Sequence, residues 1–176
     1  MEKIKLATIW LDGCAGCHMS FLDMDERLLT VAGSIELVYG PLMDAKEFPD
    51  DVDVTLVEGA VSSQEDLDKL LKVRAHTKIL VALGDCAVNS NVPAMRNRWR
   101  RIDITQRAYT ENAAMPGPAP DQNVPPLLPR AMPLHEYVKV DVFLPGCPPH
   151  AATIFGAVAH LLAGRPGAPD VPAVFG

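Results

Sequence analysis

The sequence predicts an α/β protein in which helices cover both faces of a mostly parallel, five-stranded sheet. Two observations favour this fold class. Strand-like and helix-like segments alternate along the chain, as they do in doubly wound sheets with crossover helices. Residues 52–59 and 78–84 are nearly continuous in apolar residues, which is typical of parallel strands buried on both faces.

The predicted strands are five short apolar runs. In chain order they cover residues 4–10 (IKLATIW), 35–40 (IELVYG), 52–59 (VDVTLVEG), 78–84 (KILVALG) and 138–146 (VKVDVFLPG).

Helical spacing of apolar residues predicts the segments between the strands. One helix is expected over residues 18–32 and another over 64–76, where Ser62 and Glu65 have the spacing of a capping box. Pro93 suits the first turn of a helix that includes VPAMRNRW. A last helix is expected over residues 149–163, opened by Pro149 and closed by Gly164.

Residues 100–134 interrupt this alternation. Seven of the chain's 16 prolines lie here: Pro116, Pro118, Pro120, Pro125, Pro126, Pro129 and Pro133. Proline is excluded from the interior of helices and from central strands. We therefore predict one domain over residues 1–176 that contains an irregular proline-rich insertion.

Composition narrows the class of protein. The chain has 176 residues, a size typical of one domain, and its net charge of −6 disfavours general nucleic-acid binding. Lys3 and Lys5 break the first apolar run, so no signal peptide is predicted, and no apolar stretch is long enough for a membrane span. A cytoplasmic location is expected, where cysteines act as ligands or catalytic thiols more often than as disulfides.

The four cysteines all follow predicted strands. Cys14 and Cys17 come after the first strand, Cys86 after the fourth and Cys147 after the fifth. Because the carboxyl ends of parallel strands share one edge of the sheet, these thiols are expected to meet there. Glycines stand within two residues of each cysteine, which allows sharp turns and close approach of the backbone.

Three kinds of site remain open for these cysteines. A redox dithiol accounts for the CxxC pair but leaves the other two cysteines without a role. A structural zinc site takes four thiolates but usually brings two closely spaced pairs. An iron–sulfur cubane takes four thiolates and accepts scattered ones, so we favour it.

The motifs resemble those of a known family. DGCAGCHMSFLD, VEGAV, GDCAVNSNVPAMRN and PGCPPH, in this order over residues 12–150, are similar to the small subunit of nickel–iron hydrogenases, above all the cytoplasmic NAD-reducing (bidirectional) branch. The resemblance implies a flavodoxin-like domain that holds one 4Fe–4S cluster, with Cys14, Cys17, Cys86 and Cys147 as its ligands.

The resemblance also implies partners. Hydrogen would be split at a nickel–iron centre on a separate large subunit. Electrons would then pass singly through the cluster of this chain to the iron–sulfur and flavin subunits of a NAD-reducing diaphorase. Some members of this branch hold FMN close to this cluster, and the resemblance leaves open whether this chain does.

The sequence departs from related small subunits in two places. Many of them carry two further clusters in a carboxy-terminal domain, for which this chain has no cysteines. Many also carry one or two glycines soon after the third ligand, whereas CAVNSN has none. The 20-kDa quinone-site subunit of respiratory complex I is a sister family, but it has adjacent cysteines where this chain has CxxC.

Several other residues are candidates near the cysteines. Glu58 is placed at the end of the third strand, as a proton relay or as an exposed strand-end acid. For His18 and His150 a turn or capping role is favoured over metal ligation, and for Asp12 and Asp85 likewise.

The run MRNRWRR (95–101) is open to three interpretations. They are a solvated helix end, a docking surface, and, least favoured in an acidic chain, a polyanion site.

Overall fold

The computed structural model describes residues 3–164, and within them a parallel five-stranded sheet forms the centre of the fold. Its strands lie in the order β2, β1, β3, β5, β7. Their bounds are β1 Ile4–Trp10, β2 Ile35–Tyr39, β3 Val52–Glu58, β5 Thr77–Leu83 and β7 Val142–Leu144. The predicted fold class is therefore confirmed. The ends of the chain, residues 1–2 and 165–176, lie outside the described part, so the single domain over 1–176 stays a prediction.

The register of the sheet brings the strand ends together. Trp10 of β1 pairs with Glu58 of β3, Glu58 pairs with Leu83 of β5, and Leu83 pairs with Leu144 of β7. These four residues are the last of their strands. The loops that carry the cysteines therefore leave the sheet from one edge.

Helices cover both faces of the sheet. Their bounds are α1 Gly16–Leu22, α2 Glu26–Ala32, α3 Gln64–Ala75, α4 Asp85–Asn89, α5 Arg101–Gln106 and α6 Ala151–Leu162. Side chains of α1 and α6 contribute to one apolar core, and side chains of α3 and α4 contribute to the core on the opposite face. β3 and β5 supply residues to both cores, which explains their continuous apolar sequences.

The predicted helix over 18–32 is interrupted. Residues 23–25 separate α1 from α2, and Asp25 has a positive φ of 50°. Aspartate tolerates this conformation better than most residues, and it is a weak helix former. The apolar spacing still predicted the buried face, because Met24 and Val31 both lie in the core.

The fifth predicted strand, 138–146, shrinks to the three residues of β7. The side chain of Asp141 explains where β7 begins, because its Oδ2 accepts the backbone N–H of Leu80 at 3.0 Å. Arg74 donates to the same carboxylate at 2.6 Å. A side chain thus replaces the ladder hydrogen bond that a longer β7 would make.

The insertion over 100–134 is less irregular than predicted. It contains α5, a π-helical turn over Arg107–Glu111 and strand β6 Leu127–Met132. β6 pairs antiparallel with β4 Val61–Ser63 in a separate two-stranded sheet, where Pro129 is tolerated because neither strand is central. Residues 112–126, which hold five of the seven prolines, contain no helix or strand.

Other predicted elements differ only locally. The capping box of α3 uses Ser63 and Asp66, one residue later than predicted. The helix at Pro93 is a 3-10 helix over Pro93–Arg98. Within residues 3–164, none of the helices has the length and apolar character needed to cross a membrane.

Candidate functional site

Four free cysteines follow the strands at the common edge of the sheet. Cys14 lies in the loop between β1 and α1, and Cys17 lies in the first turn of α1. Cys86 lies in the first turn of α4, directly after β5, and Cys147 lies in the turn between β7 and α6. The predicted placement of all four after strand ends is thus observed.

Backbone hydrogen bonds join the loops that carry Cys86 and Cys147. Gly84 N–H donates to Leu144 O, and Asp85 N–H donates to Gly146 O, each at 2.8 Å. The Asp85 side chain accepts the N–H of Gly146 at 2.7 Å. Asp85 therefore has the turn role predicted for it.

Gly84 brings Cys17 against the same loop. A Cβ at Gly84 would lie 2.2 Å from the Sγ of Cys17, so only glycine leaves room for that sulfur. Gly84 also has a φ of +83°, a conformation that glycine adopts without steric cost. The thiol of the CxxC helix is thereby packed against the turn that leads to Cys86.

The cysteine sulfurs are close enough to influence the pKa values of one another. Burial raises the pKa of the Cys86 thiol to about 11, and the sulfurs of Cys147 and Cys14 add to this shift. Burial also raises the pKa of Cys17, with further contributions from Glu58 and from all three other cysteines. With pKa values raised in this way, Cys17 and Cys86 become thiolates only when a metal binds them, because a bound metal ion keeps a coordinating thiol deprotonated.

A redox dithiol accounts for only half of this arrangement. It uses Cys14 and Cys17 but gives no role to Cys86 and Cys147, which the fold brings to the same edge of the sheet.

The donor set fits an iron–sulfur cubane. Such a cluster takes four thiolates, one for each iron, and the four cysteines come from three loops that leave the same edge of the sheet. A structural zinc ion also takes four thiolates.

Within residues 3–164, N–H groups donate to the sulfurs of Cys14, Cys86 and Cys147. The backbone N–H of Gly16 donates to Cys14 Sγ at 3.4 Å, and Nδ2 of Asn91 donates to Cys147 Sγ at 3.3 Å. Sequence reasoning missed Asn91. The only signal was the CAVNSN segment, which has no glycine, although its Ser90 and Asn91 have positive φ values of 67° and 24°.

Glu58 is buried beside Cys17 and is not an exposed strand-end acid. Its side chain is 1% exposed. Its Oε2 accepts the backbone N–H of His18 at 2.9 Å and contacts Nδ1 of the same residue at 2.5 Å. The carboxylate therefore satisfies an N–H at the start of α1, and no local sequence pattern indicates this His18–Glu58 pair.

The other candidate residues have structural roles. His150 is the N-cap of α6, and its Nδ1 accepts the N–H of Ala152 at 3.2 Å, which confirms the predicted capping. Asp12 forms a backbone bridge with Ala60.

The arginine run does not form one basic cluster. Arg96 donates to the carbonyl oxygens of Ser62 and Leu128, Arg100 pairs with Asp103, and Arg98 stacks on Trp99 at 5.6 Å from the ring centroid. Residues 97–101 of the run and several residues between 120 and 130 line an open groove of about 820 Å³.

An apolar surface adjoins the CxxC loop. A cavity of about 320 Å³ lies between α1 and the ends of β1 and β2. Five large apolar side chains on its lining are exposed, and we call them the rim patch: Trp10, Met19, Leu22, Leu37 and Leu42. Large exposed apolar groups in contact with one another mark surfaces that bind other molecules.

Comparison with known proteins identifies a family. Residues 14–161 match the family model described as NADH ubiquinone oxidoreductase, 20 Kd subunit. The NAD-reducing hydrogenase HoxS subunit delta of Cupriavidus necator is 44% identical over 171 residues, which cover 93% of this chain and 81% of that protein.

Other relatives share the same region. A subunit of the F420-non-reducing hydrogenase vhu of Methanocaldococcus jannaschii is 36% identical, and the match covers 92% of this chain but only 57% of the relative. A protein of Archaeoglobus profundus, 29% identical with the same 57% of its length covered, is described as an iron-sulfur subunit of an F420-non-reducing hydrogenase.

A solved structure has the same fold over almost the whole chain. A chain in the crystal structure of a NAD+-reducing [NiFe]-hydrogenase in the H2-reduced state superposes with a TM-score of 0.92. The two chains are 41% identical, and the match covers 97% of this chain and 96% of that one.

Proposed function

Because the chain belongs to the family of the 20-kDa subunit of NADH ubiquinone oxidoreductase, on the branch of NAD-reducing hydrogenase small subunits, we propose that it is the electron-transfer small subunit of such a hydrogenase. Cys14, Cys17, Cys86 and Cys147 hold one 4Fe–4S cluster, one thiolate to each iron. The observation that carries this proposal is the convergence of the four thiols at one edge of the sheet.

A bound cluster of this type accepts and returns one electron at a time, which suits a relay between hydrogen oxidation and NAD reduction. The chain supplies the thiolates, the N–H donors to sulfur from Gly16 and Asn91, and a largely buried position for Cys17. Burial and hydrogen bonds of this kind set the reduction potential of a cluster.

The proposed partners lie on other chains in the cytoplasm. A nickel–iron large subunit splits hydrogen, and diaphorase subunits with iron–sulfur clusters and a flavin reduce NAD. The rim patch beside the CxxC loop is the surface that docks the large subunit, because it is apolar, exposed and adjacent to Cys14 and Cys17. A second FMN near the cluster stays a prediction, which quantification of acid-released flavin in the purified complex would test.

Metal analysis tests the proposed cluster. The complex is purified anaerobically through a tag on this chain, and iron and sulfide are measured in the wild type and in Cys17→Ala. We expect a brown complex that loses about four iron and four sulfide per copy in the variant. A colourless protein with one zinc, or with no metal, would refute the proposal.

The same complex separates a hydrogenase from an assembly like complex I. A hydrogenase contains nickel and reduces NAD with hydrogen. A complex without nickel that reduces quinone with NADH would instead support the sister family.

We also propose that Glu58 relays protons near the cluster, since it is a buried carboxylate in contact with the His18 imidazole. Glu58→Gln preserves the shape but removes the charge, and we expect it to slow hydrogen oxidation by roughly tenfold to hundredfold. Glu65→Gln, on the exposed first turn of α3, is the matched control. Rates that are unchanged by Glu58→Gln at every pH would end this hypothesis.

A further inference from the structure

Asn91 contacts the site through its side chain. Its Nδ2 lies 3.3 Å from the Sγ of Cys147, although 56 residues separate the two in sequence. An amide nitrogen is a donor, and a thiolate bound to a metal is an acceptor. The contact is therefore an N–H···S hydrogen bond from a side chain to a proposed cluster ligand.

The turn after α4 fixes the position of this amide. Ser90, the C-cap of α4, and Asn91 both have positive φ, 67° and 24°, and Ser90 N–H closes the helix on Cys86 O at 3.1 Å. The backbone N–H of Asn91 donates to Oδ1 of Asn89 at 2.9 Å. Two consecutive left-handed residues thus turn the chain from Cys86 towards Cys147.

The turn after α4 also lies close to Cys86, so it contacts both of the cysteines outside the CxxC pair. The backbone N–H of Val92 donates a hydrogen bond to the sulfur of Cys86. Val92 follows Asn91 directly, so adjacent residues serve Cys86 through the backbone and Cys147 through a side chain. Asparagine suits this position twice, because it tolerates positive φ and it carries a donor.

We infer that Asn91 is a positioning residue for Cys147 that raises the reduction potential of the cluster. This inference rests on the proposed function. Reduction adds one negative charge, which is shared with the cysteine sulfurs, and a donor to sulfur stabilises the more negative state. Loss of the donor therefore shifts the midpoint potential to more negative values.

Two substitutions remove the amide donor of Asn91 and still tolerate the positive φ at this position. Asn91→Gly relaxes the positive φ, and Asn91→Asp keeps the size and the tolerance for this conformation but replaces the donor with a charged acceptor. Asn89→Asp is the matched control, because it adds the same charge two residues away and keeps an oxygen that accepts the Asn91 N–H.

The readout is a redox titration followed by electron paramagnetic resonance (EPR) on the whole complex. The complex is expected to contain several clusters, so the EPR signal of the cluster in this chain is identified as the one that Cys147→Ser alters. We expect Asn91→Gly to shift its midpoint potential negatively, Asn91→Asp to shift it further, and Asn89→Asp to shift it less than Asn91→Asp. An unchanged potential in Asn91→Gly, or equal shifts in the two aspartate variants, would overturn the inference.

A second measurement uses the wild-type complex and therefore does not depend on whether a variant folds. With 15N-labelled asparagine side chains, pulsed EPR of the reduced cluster is expected to detect coupling to one 15N nucleus. Absence of this coupling in a complex that shows the signal contradicts the role of Asn91. Absence of iron and of any signal from this chain contradicts the proposed function instead.

Discussion

At the scale of single residues, the site depends on the absence of a side chain at Gly84. Gly84 has no side chain, and the Sγ of Cys17 occupies the place where one would lie. The turn that holds Cys86 and the helix that holds Cys17 can approach each other only because of this gap. Burial of both thiols at this junction raises their pKa values, so the two groups become thiolates only when a metal binds them.

Gly84→Ala is expected to remove the cluster. The new Cβ would lie 2.2 Å from Cys17 Sγ, and its positive φ would cost about 1–2 kcal/mol of folding free energy besides the clash. Iron per complex and the melting temperature measure the two effects.

Gly164→Ala is the control for Gly84→Ala. Gly164 also has a positive φ, 69°, but no atom of residues 3–164 lies within 4 Å of an added Cβ. It is expected to lose stability and to retain iron. Full iron content in Gly84→Ala would show that the close contact with Cys17 is not needed.

The sequence predicted that the four cysteines follow strands ending at one edge of the sheet, but not how their surroundings are arranged. Positions after strand ends can be read from local apolar runs, and the common edge then follows from parallel pairing. The bond from Asn91 to Cys147 and the pair of His18 with Glu58 join residues that are 56 and 40 positions apart. Such contacts depend on tertiary packing, for which no local pattern exists.

At the scale of elements, Asp141 determines how the edge strand β7 begins. Burial alone would raise its pKa, but the N–H of Leu80 and the cations of Arg74 and Lys139 outweigh burial, so the pKa is lowered. The charged carboxylate therefore stabilises the fold. Because the folded pKa lies below the unfolded one, this contribution is present above about pH 4 and is lost as the pH falls through the folded pKa.

Asp141→Asn is expected to lower the free energy of unfolding by about 1.5–3 kcal/mol at pH 7, the usual worth of hydrogen bonds to a charged group. The difference from the wild type should shrink below about pH 4, where the wild-type carboxylate also becomes neutral. Urea unfolding at several pH values measures it.

Asp103→Asn provides the comparison for Asp141→Asn. Asp103 of the exposed helix α5 pairs with Arg100, the N-cap of that helix, and such surface pairs contribute little to stability because water and salt screen them. Equal effects of the two substitutions, or a loss at Asp141 that does not depend on pH, would contradict the role of Asp141 in β7.

Elements were predictable where local sequence decides them. β1, β3 and β5 match their apolar runs within one residue at each end, because both of their faces are buried. β6 was missed because it pairs only with β4, which lies 64 residues earlier and is itself only three residues long. The break between α1 and α2 was missed because the apolar spacing continues across it. The helical backbone is interrupted there, since Asp25 has a positive φ.

At the scale of the whole molecule, the rim patch lies next to the edge of the sheet that carries the cysteines. Leu42 is 91% exposed and Met19 is 61% exposed, and both line the cavity beside the CxxC loop. An electron carrier needs its redox partner close to the cluster, and an apolar surface there provides the means to bind one.

Charges in the rim patch are expected to separate this chain from its nickel–iron partner. Leu42→Asp and Met19→Asp should weaken association by roughly tenfold or more, the effect of losing an interface anchor. Nickel that co-purifies with this chain measures the association. Leu29→Asp, on a residue that is 77% exposed on α2 outside the patch, should retain the partner. Retention of nickel in both patch variants would place the interface elsewhere.

The most direct test of the central claim is an anomalous difference map, measured at the iron absorption edge, from crystals of the complex. The account predicts one compact group of four irons bonded to the sulfurs of Cys14, Cys17, Cys86 and Cys147. Iron bound by the CxxC pair alone, or zinc among these sulfurs, would contradict it.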